Sequence, residues 1–178
     1  MSELAASPTV SEIEPVGISG WLLLPALAMI ISPFRIAFEF YQTFVPLFQP
    51  SVWFAMLSTK STFYNPALAL LLTWEIVANL LMLAFTIWLA YLFFKKQKGV
   101  AKLYIIWLAF GCVLQLADLF FGSLVTIVAD QQNGDSYKEL FKSIVAAAIW
   151  IPYFLKSKRV KNTFVNGNGI KWPESNWP

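Results

Sequence analysis

From Pro66 to Phe94 the chain reads PALALLLTWEIVANLLMLAFTIWLAYLFF, an apolar run with a single charged residue, Glu75. At about 1.5 Å per residue it is longer than the ~30 Å hydrocarbon core of a bilayer. A backbone in lipid must satisfy its own hydrogen bonds, so the run is expected to form one membrane-crossing helix. Three further apolar segments surround it: about 21–45, about 103–129 and about 137–155. The last is strongly apolar only from Ile144 to Leu155, and it reaches spanning length by including the charged stretch from Tyr137 to Lys142. None shows the two-residue alternation of a membrane β-barrel. The expected fold is all-α: a polytopic membrane protein, a four-transmembrane-helix bundle with a long outer loop between its first and second helices.

Composition supports the same class. Of 178 residues, 58% are hydrophobic and 13% charged, against about 25% charged in an ordinary soluble domain. Aromatic residues make up 17%, with 16 Phe and 8 Trp, a bias suited to membrane–water boundaries. The absence of His removes the usual general base and the commonest metal ligand. A lone Cys112 excludes an intrachain disulfide and a cysteine-built metal cage.

Lysine and arginine set the expected orientation. The link between the second and third apolar segments holds Lys95, Lys96, Lys98 and Lys102, and Lys156, Lys158, Arg159, Lys161 and Lys171 follow the fourth. The opposite side holds Lys60, Lys138 and Lys142. This bias predicts a cytoplasmic second link and C-terminus, and with four spans a cytoplasmic N-terminus as well. The clusters read as membrane orientation and not as a nucleic-acid footprint. Lys156, Lys158, Arg159 and Lys161 would anchor the last helix at the cytoplasmic face and could meet anionic lipid.

The ends divide from the helical region by composition. Residues 1–16 are polar and weakly acidic, and 166–178 are rich in Asn, Gly and Pro, so both are expected to be flexible around a transmembrane domain at 17–165. No basic region precedes the first apolar run, which is expected to stay in the mature protein and not to act as a cleaved signal. The loop from Pro46 to Asn65 carries Trp53, Phe54, Met56, Leu57, Phe63 and Tyr64. Such a segment should fold as a short interfacial helix or a cap over the bundle.

Charged groups at bilayer depth are costly unless paired or hydrated. The first helix carries Arg35 and Glu39, the second Glu75 and Asn79, the third Gln115 and Asp118. Each pair is spaced three or four residues apart and so shares one helical face. Counted from the inner ends at ~1.5 Å per residue, all three pairs lie in the outer half of the membrane. If the faces converge, three acids and one arginine enclose a hydrated pocket for a cation, a proton or a polar ligand. The alternative is structural: Arg35 pairs with Glu39 and Glu75 with Asn79, locking neighbouring helices.

Pro25 and Pro33 are expected to interrupt the first helix and Pro152 the fourth, bending them to fit their neighbours. Gly111 and Gly122 lack GxxxG spacing, whereas Ala146-Ala147-Ala148 offers a small-residue surface for close helix approach. Cys112 reads as a small buried apolar residue. No P-loop, GxGxxG or H-E-x-x-H is present, so no catalytic residue, metal ligand or cofactor is assigned.

An ordered set of motifs carries a resemblance. It comprises Gly20-Trp-Leu-Leu-Leu-Pro25, Ser32-Pro-Phe-Arg35, Trp74-Glu-Ile-Val-Ala-Asn79 and Trp150-Ile-Pro-Tyr-Phe-Leu-Lys-Ser-Lys-Arg-Val-Lys-Asn-Thr-Phe164. The chain resembles, over roughly Val16 to Val165, the bacterial inner-membrane family known as domain of unknown function 2569. Ser19 stands where members commonly show a second Gly. The resemblance implies a four-helix bacterial inner-membrane protein with Arg35, Glu75 and Asn79 among the recurring positions, and it supplies no activity or ligand. The sequence therefore favours an accessory or structural subunit of a membrane assembly. Its expected partners are membrane lipid and either another membrane protein or a second copy of the chain. The alternative is a small carrier or sensor using the outer-half pocket.

Overall fold

The computed structural model describes residues 16–125 and 134–166, and every regular element among them is helical. A 3-10 turn at Gly20–Leu22 leads into α1 (Leu23–Phe44). Gly20 sits at φ +58°, a conformation that a side chain disfavours. A second 3-10 turn, Val45–Phe48, connects to the short α2 (Pro50–Leu57). Two hydrogen bonds tie this segment down: Trp53 Nε1 donates to the Leu47 carbonyl at 2.7 Å and the Asn65 amide to the Met56 carbonyl at 2.9 Å. Asn65 then caps α3 (Pro66–Phe94), its Oδ1 accepting from the Leu68 amide at 3.0 Å. Pro66 occupies the first helical position, where a missing N–H costs nothing.

A tight link through Lys96 (φ +52°) and Gly99 (φ +88°) reverses the chain into α4 (Val100–Ser123). This helix begins three residues before the expected Leu103 and ends at Ser123. Of the residues expected to continue it, 126–129 lie outside the described set. Next come α5 (Gly134–Lys156) and, after a break at Ser157, α6 (Lys158–Thr163), capped by the Ser157 hydroxyl.

The prolines do not interrupt their helices. Pro25 lies in the first turn of α1, directly after the 3-10 turn, and the helix continues through it. Pro33 and Pro152 lie inside α1 and α5, which continue through them. Each removes only the N–H that would bond the carbonyl four residues earlier, at Met29 and Ala148.

Among the described residues three segments are long and apolar enough to cross a membrane: Gly20–Phe48, Pro66–Phe94 and Val100–Ser123. At ~1.5 Å per residue α5 has comparable length, but it carries Lys138, Glu139 and Lys142 in its first half and is amphipathic. The chain is thus a helical membrane protein with three helices of spanning character and a fourth long amphipathic one. Large apolar side chains such as Leu70 and Phe34, each 73% exposed, cover the outside, as expected where lipid is the solvent.

The long helices pack in chain order, α1 on α3, α3 on α4, and α4 on α5. The core is concentrated at one end. Tyr104 stacks on Phe154 with ring centroids 4.2 Å apart, and Phe93 meets Phe164 edge-on at 5.0 Å. Leu22, Met29, Leu89 and Val100 complete this buried cluster. The same end is clasped by polar contacts. The Gly17 amide donates to Thr163 Oγ1 at 2.9 Å, and that hydroxyl donates back to the Gly17 carbonyl at 3.3 Å. Arg159 donates to Ser19 Oγ. Asn166 pairs with the α3–α4 link through the Lys98 amide at 3.1 Å and the Lys96 carbonyl at 3.0 Å. Lys95, Lys96, Lys98, Lys102, Lys156, Lys158, Arg159 and Lys161 gather here, so we call it the basic end.

Candidate functional site

Away from the basic end the four long helices enclose a cavity of about 450 Å³. Each helix contributes one stripe at helical spacing. On α1 it is Ser32, Arg35, Ile36 and Glu39, and on α3 Trp74, Glu75, Ala78, Asn79 and Met82. From α4 come Trp107, Leu108, Gly111, Leu114, Gln115 and Asp118; from α5, Glu139, Lys142, Ser143 and Ala146. Steps of three and four residues place each set on one helical face.

The six polar residues singled out in the sequence, Arg35, Glu39, Glu75, Asn79, Gln115 and Asp118, all line this one cavity. Arg35 Nη1 lies 3.6 Å from Glu39 Oε1 within α1 and 4.0 Å from Glu139 Oε2 on α5. Glu139 Oε1 also accepts from Lys142 Nζ at 2.6 Å. These four side chains are about half exposed or more, so the ion-pair chain forms a solvent-accessible rim.

Farther in, the partners differ from those the sequence suggested. Asn79 does not pair with the Glu75 carboxyl; its Nδ2 donates to the Glu75 backbone carbonyl at 2.9 Å, within its own helix. The Glu75 carboxyl instead lies beside that of Asp118, across α3 and α4 in the same cavity. Two carboxyls so close repel unless a proton or a cation lies between them. Among the described residues neither has a cationic partner. Gln115 Oε1 lies 2.9 Å from Ser143 Oγ, joining α4 to α5, and Cys112 Sγ donates to the same hydroxyl at 3.6 Å. Cys112 is therefore half-buried and hydrogen-bonded, not a plain apolar filler. Below this level the lining is apolar. Trp107 Nε1 is taken by Thr86 Oγ1 at 2.8 Å, and Thr86 in turn donates to the Met82 carbonyl at 2.7 Å. Gly111 of α4 faces Met82 of α3 here, and a Cβ on it would make an ordinary van der Waals contact with Met82 Cε at 3.5 Å.

The sequence reading missed the stripe on α5 and the two tryptophans. The 139–142–143–146 spacing was the available signal, hidden because those charges had been assigned to the interface. Pro25 and Pro152 do not line the cavity, nor do Lys156, Lys158, Arg159 and Lys161. Among the described residues no group of three His, Cys, Asp or Glu side chains converges to hold a metal ion.

Over residues 15–165 the chain matches the family described as "Protein of unknown function (DUF2569)". It is also similar to the inner membrane protein YdgK of Escherichia coli (strain K12), with 30% identity over 157 residues, covering 85% of this chain and 96% of the relative. No solved structure matches it. The chain belongs to the DUF2569 family.

Proposed function

We propose that this DUF2569 protein is a small carrier or sensor that crosses the membrane four times and binds a cation, a proton or a polar solute in its four-helix cavity. One observation carries the reading: every long helix turns a polar stripe into the same space of about 450 Å³. That volume lies within the range of small-molecule sites, about 300–1,000 Å³. The fourth crossing is part of the proposal. It is supported by α5 directing Glu139, Lys142 and Ser143 into the cavity, which spares lipid from meeting them. The surplus of Lys and Arg at the basic end supports placing that end, and with it both termini, in the cytoplasm. The cavity then opens in the outer half of the membrane. Similarity to an inner membrane protein of E. coli supports a bacterial inner-membrane location. No bond-making chemistry is proposed.

The test pairs equilibrium binding with proteoliposome flux under cation, proton and neutral-solute gradients, on the native protein and on Glu75→Gln. A saturable current or flux that is lost in the folded variant supports a carrier. Saturable binding without flux supports a sensor. Neither binding nor flux across the whole panel refutes the reading.

A second reading, an accessory subunit of a membrane assembly, is favoured by the segment between α1 and α3. It exposes Phe54 (77%) and Phe63 (75%) at the cavity's end of the bundle. Native mass spectrometry from nanodiscs cut directly out of the membrane decides it: a stoichiometric protein partner supports this reading, and a lone chain or homo-oligomer rejects it.

A further inference from the structure

Charge, size and lining together narrow what the cavity accepts, an argument that rests on the pocket reading above. The rim is internally satisfied: Arg35 has Glu39 and Glu139, and Lys142 has Glu139. Among the described residues lining the rim, both cations, Arg35 and Lys142, are thus already paired with carboxylates. The acidic pair without a cationic partner lies deeper, where Glu75 and Asp118 sit side by side among the described residues.

A bare inorganic ion would use only a small part of the space, since a water molecule occupies about 30 Å³ and the cavity holds about 450 Å³. The remaining surface does not resemble an ion cage. Met82 lies about 10 Å along α3 from Glu75, and Leu114 about 6 Å along α4 from Asp118, so apolar side chains line the space beyond the carboxyls and the neighbouring amides of Asn79 and Gln115. Trp74 also lines the space, so its lining includes an aromatic ring. Because Thr86 already takes the Trp107 N–H, that residue offers its ring and not a donor.

We infer that the cavity binds a small organic cation, an alkylammonium of about four carbons, with its nitrogen held by Glu75 and Asp118 and its chain against Met82 and Leu114. An ammonium supplies N–H donors to both carboxyls and relieves their repulsion. The chain displaces water from the apolar wall. Trp74 adds cation–π attraction where the charge is partly desolvated.

Isothermal titration on the full chain in nanodiscs, with empty nanodiscs as the blank, uses four probes: butylammonium, butanol, butyrate and sodium. Butylammonium is expected to bind saturably, with butanol and butyrate at least about ten-fold weaker and sodium unable to displace it. Glu75→Gln and Asp118→Asn are each expected to weaken butylammonium at least about ten-fold while keeping the native melting profile. The four-probe comparison on the unmodified protein stands even if a variant fails to fold. Butanol binding as tightly as butylammonium overturns the inference, because charge is then not recognised. Sodium or butanol binding without butylammonium also overturns it, yet leaves the pocket reading standing. No saturable binding by any probe, together with no flux in the gradient panel, overturns both.

Discussion

Whether the cavity is wet decides how the rim behaves, and the Arg35–Glu39 pair reports it. The charged atoms are 3.6 Å apart and the side chains 58% and 56% exposed. At about 4 Å the attraction of unit charges is ~1 kcal/mol in water and ~4 kcal/mol at an effective dielectric of 20. Exposed pairs net only about 0.2–1 kcal/mol once side-chain ordering is counted. A double-mutant cycle with Arg35→Gln and Glu39→Gln isolates the coupling, although Glu139 at 4.0 Å still holds Arg35 when Glu39 is removed. That second partner lowers the expected value further, to about 0.5 kcal/mol. The assay is reversible SDS unfolding in bicelles, repeated at low and high salt. Raising salt from about 0.1 M to 1 M shortens the screening length from ~10 Å to ~3 Å, so the coupling of a wet rim should fall to near zero. A coupling of about 3 kcal/mol or more that does not respond to salt would refute the reasoning. The rim would then be sealed from water, and an outward-opening solute site could not be maintained.

Other expectations concern the basic end and the topology. Thr163→Val keeps the shape but removes both hydrogen bonds to Gly17; it should cost about 1–2 kcal/mol in unfolding and speed hydrogen exchange at the Gly17 amide. Thr163→Ser, which keeps the hydroxyl, should cost about 1 kcal/mol for its lost methyl and leave that exchange slow. Phe154→Ala should cost about 3–5 kcal/mol, because the ring is fully buried on Tyr104, whereas Phe34→Ala on the outer face should stay within about 0.5 kcal/mol. Equal costs in SDS unfolding would show that Phe34 packs against protein and not lipid. In a Cys112→Ser background, an impermeant thiol reagent should label Lys60→Cys but not Lys98→Cys in intact cells; the reverse pattern would invert the orientation.

The ends of α3 were readable because Asn65-Pro66 pairs a capping residue with one favoured at the first helical position, and the lysines after Phe94 end its apolar run. The start of α4 was misplaced because Lys102 was assigned to the link by its charge. A lysine stem is apolar for most of its length, so Lys102, half-buried, fits on the first turn of α4. Prolines misled in a similar way. A proline inside an apolar run removes one backbone hydrogen bond and need not end the helix, and at Pro33 and Pro152 the helix continues through it. Nor could spacing predict the clasp of Gly17 and Ser19 on Thr163 and Arg159, since it joins residues from opposite ends of the domain.

Three of the cavity's four faces were legible because a polar residue inside an apolar run must be explained, and one face of α1, α3 and α4 carried each such pair. The fourth was not, because α5 mixes charges into its first half and looks interfacial on composition alone. Pairing within the cavity was beyond any spacing rule. Asn79 turned back onto its own helix, and Glu75 met Asp118 on a neighbour. The two halves of the molecule follow from one physical constraint. At the basic end Phe93, Tyr104, Phe154 and Phe164 interlock, so the helices there can approach until rings stack. In the other half each of the four facing stripes carries a charge, and the interior of a bundle in lipid cannot close over four acids and two bases without leaving them unsolvated. The helices are held apart by the groups they carry, and the cavity is the volume those groups need for water or for a ligand that replaces it.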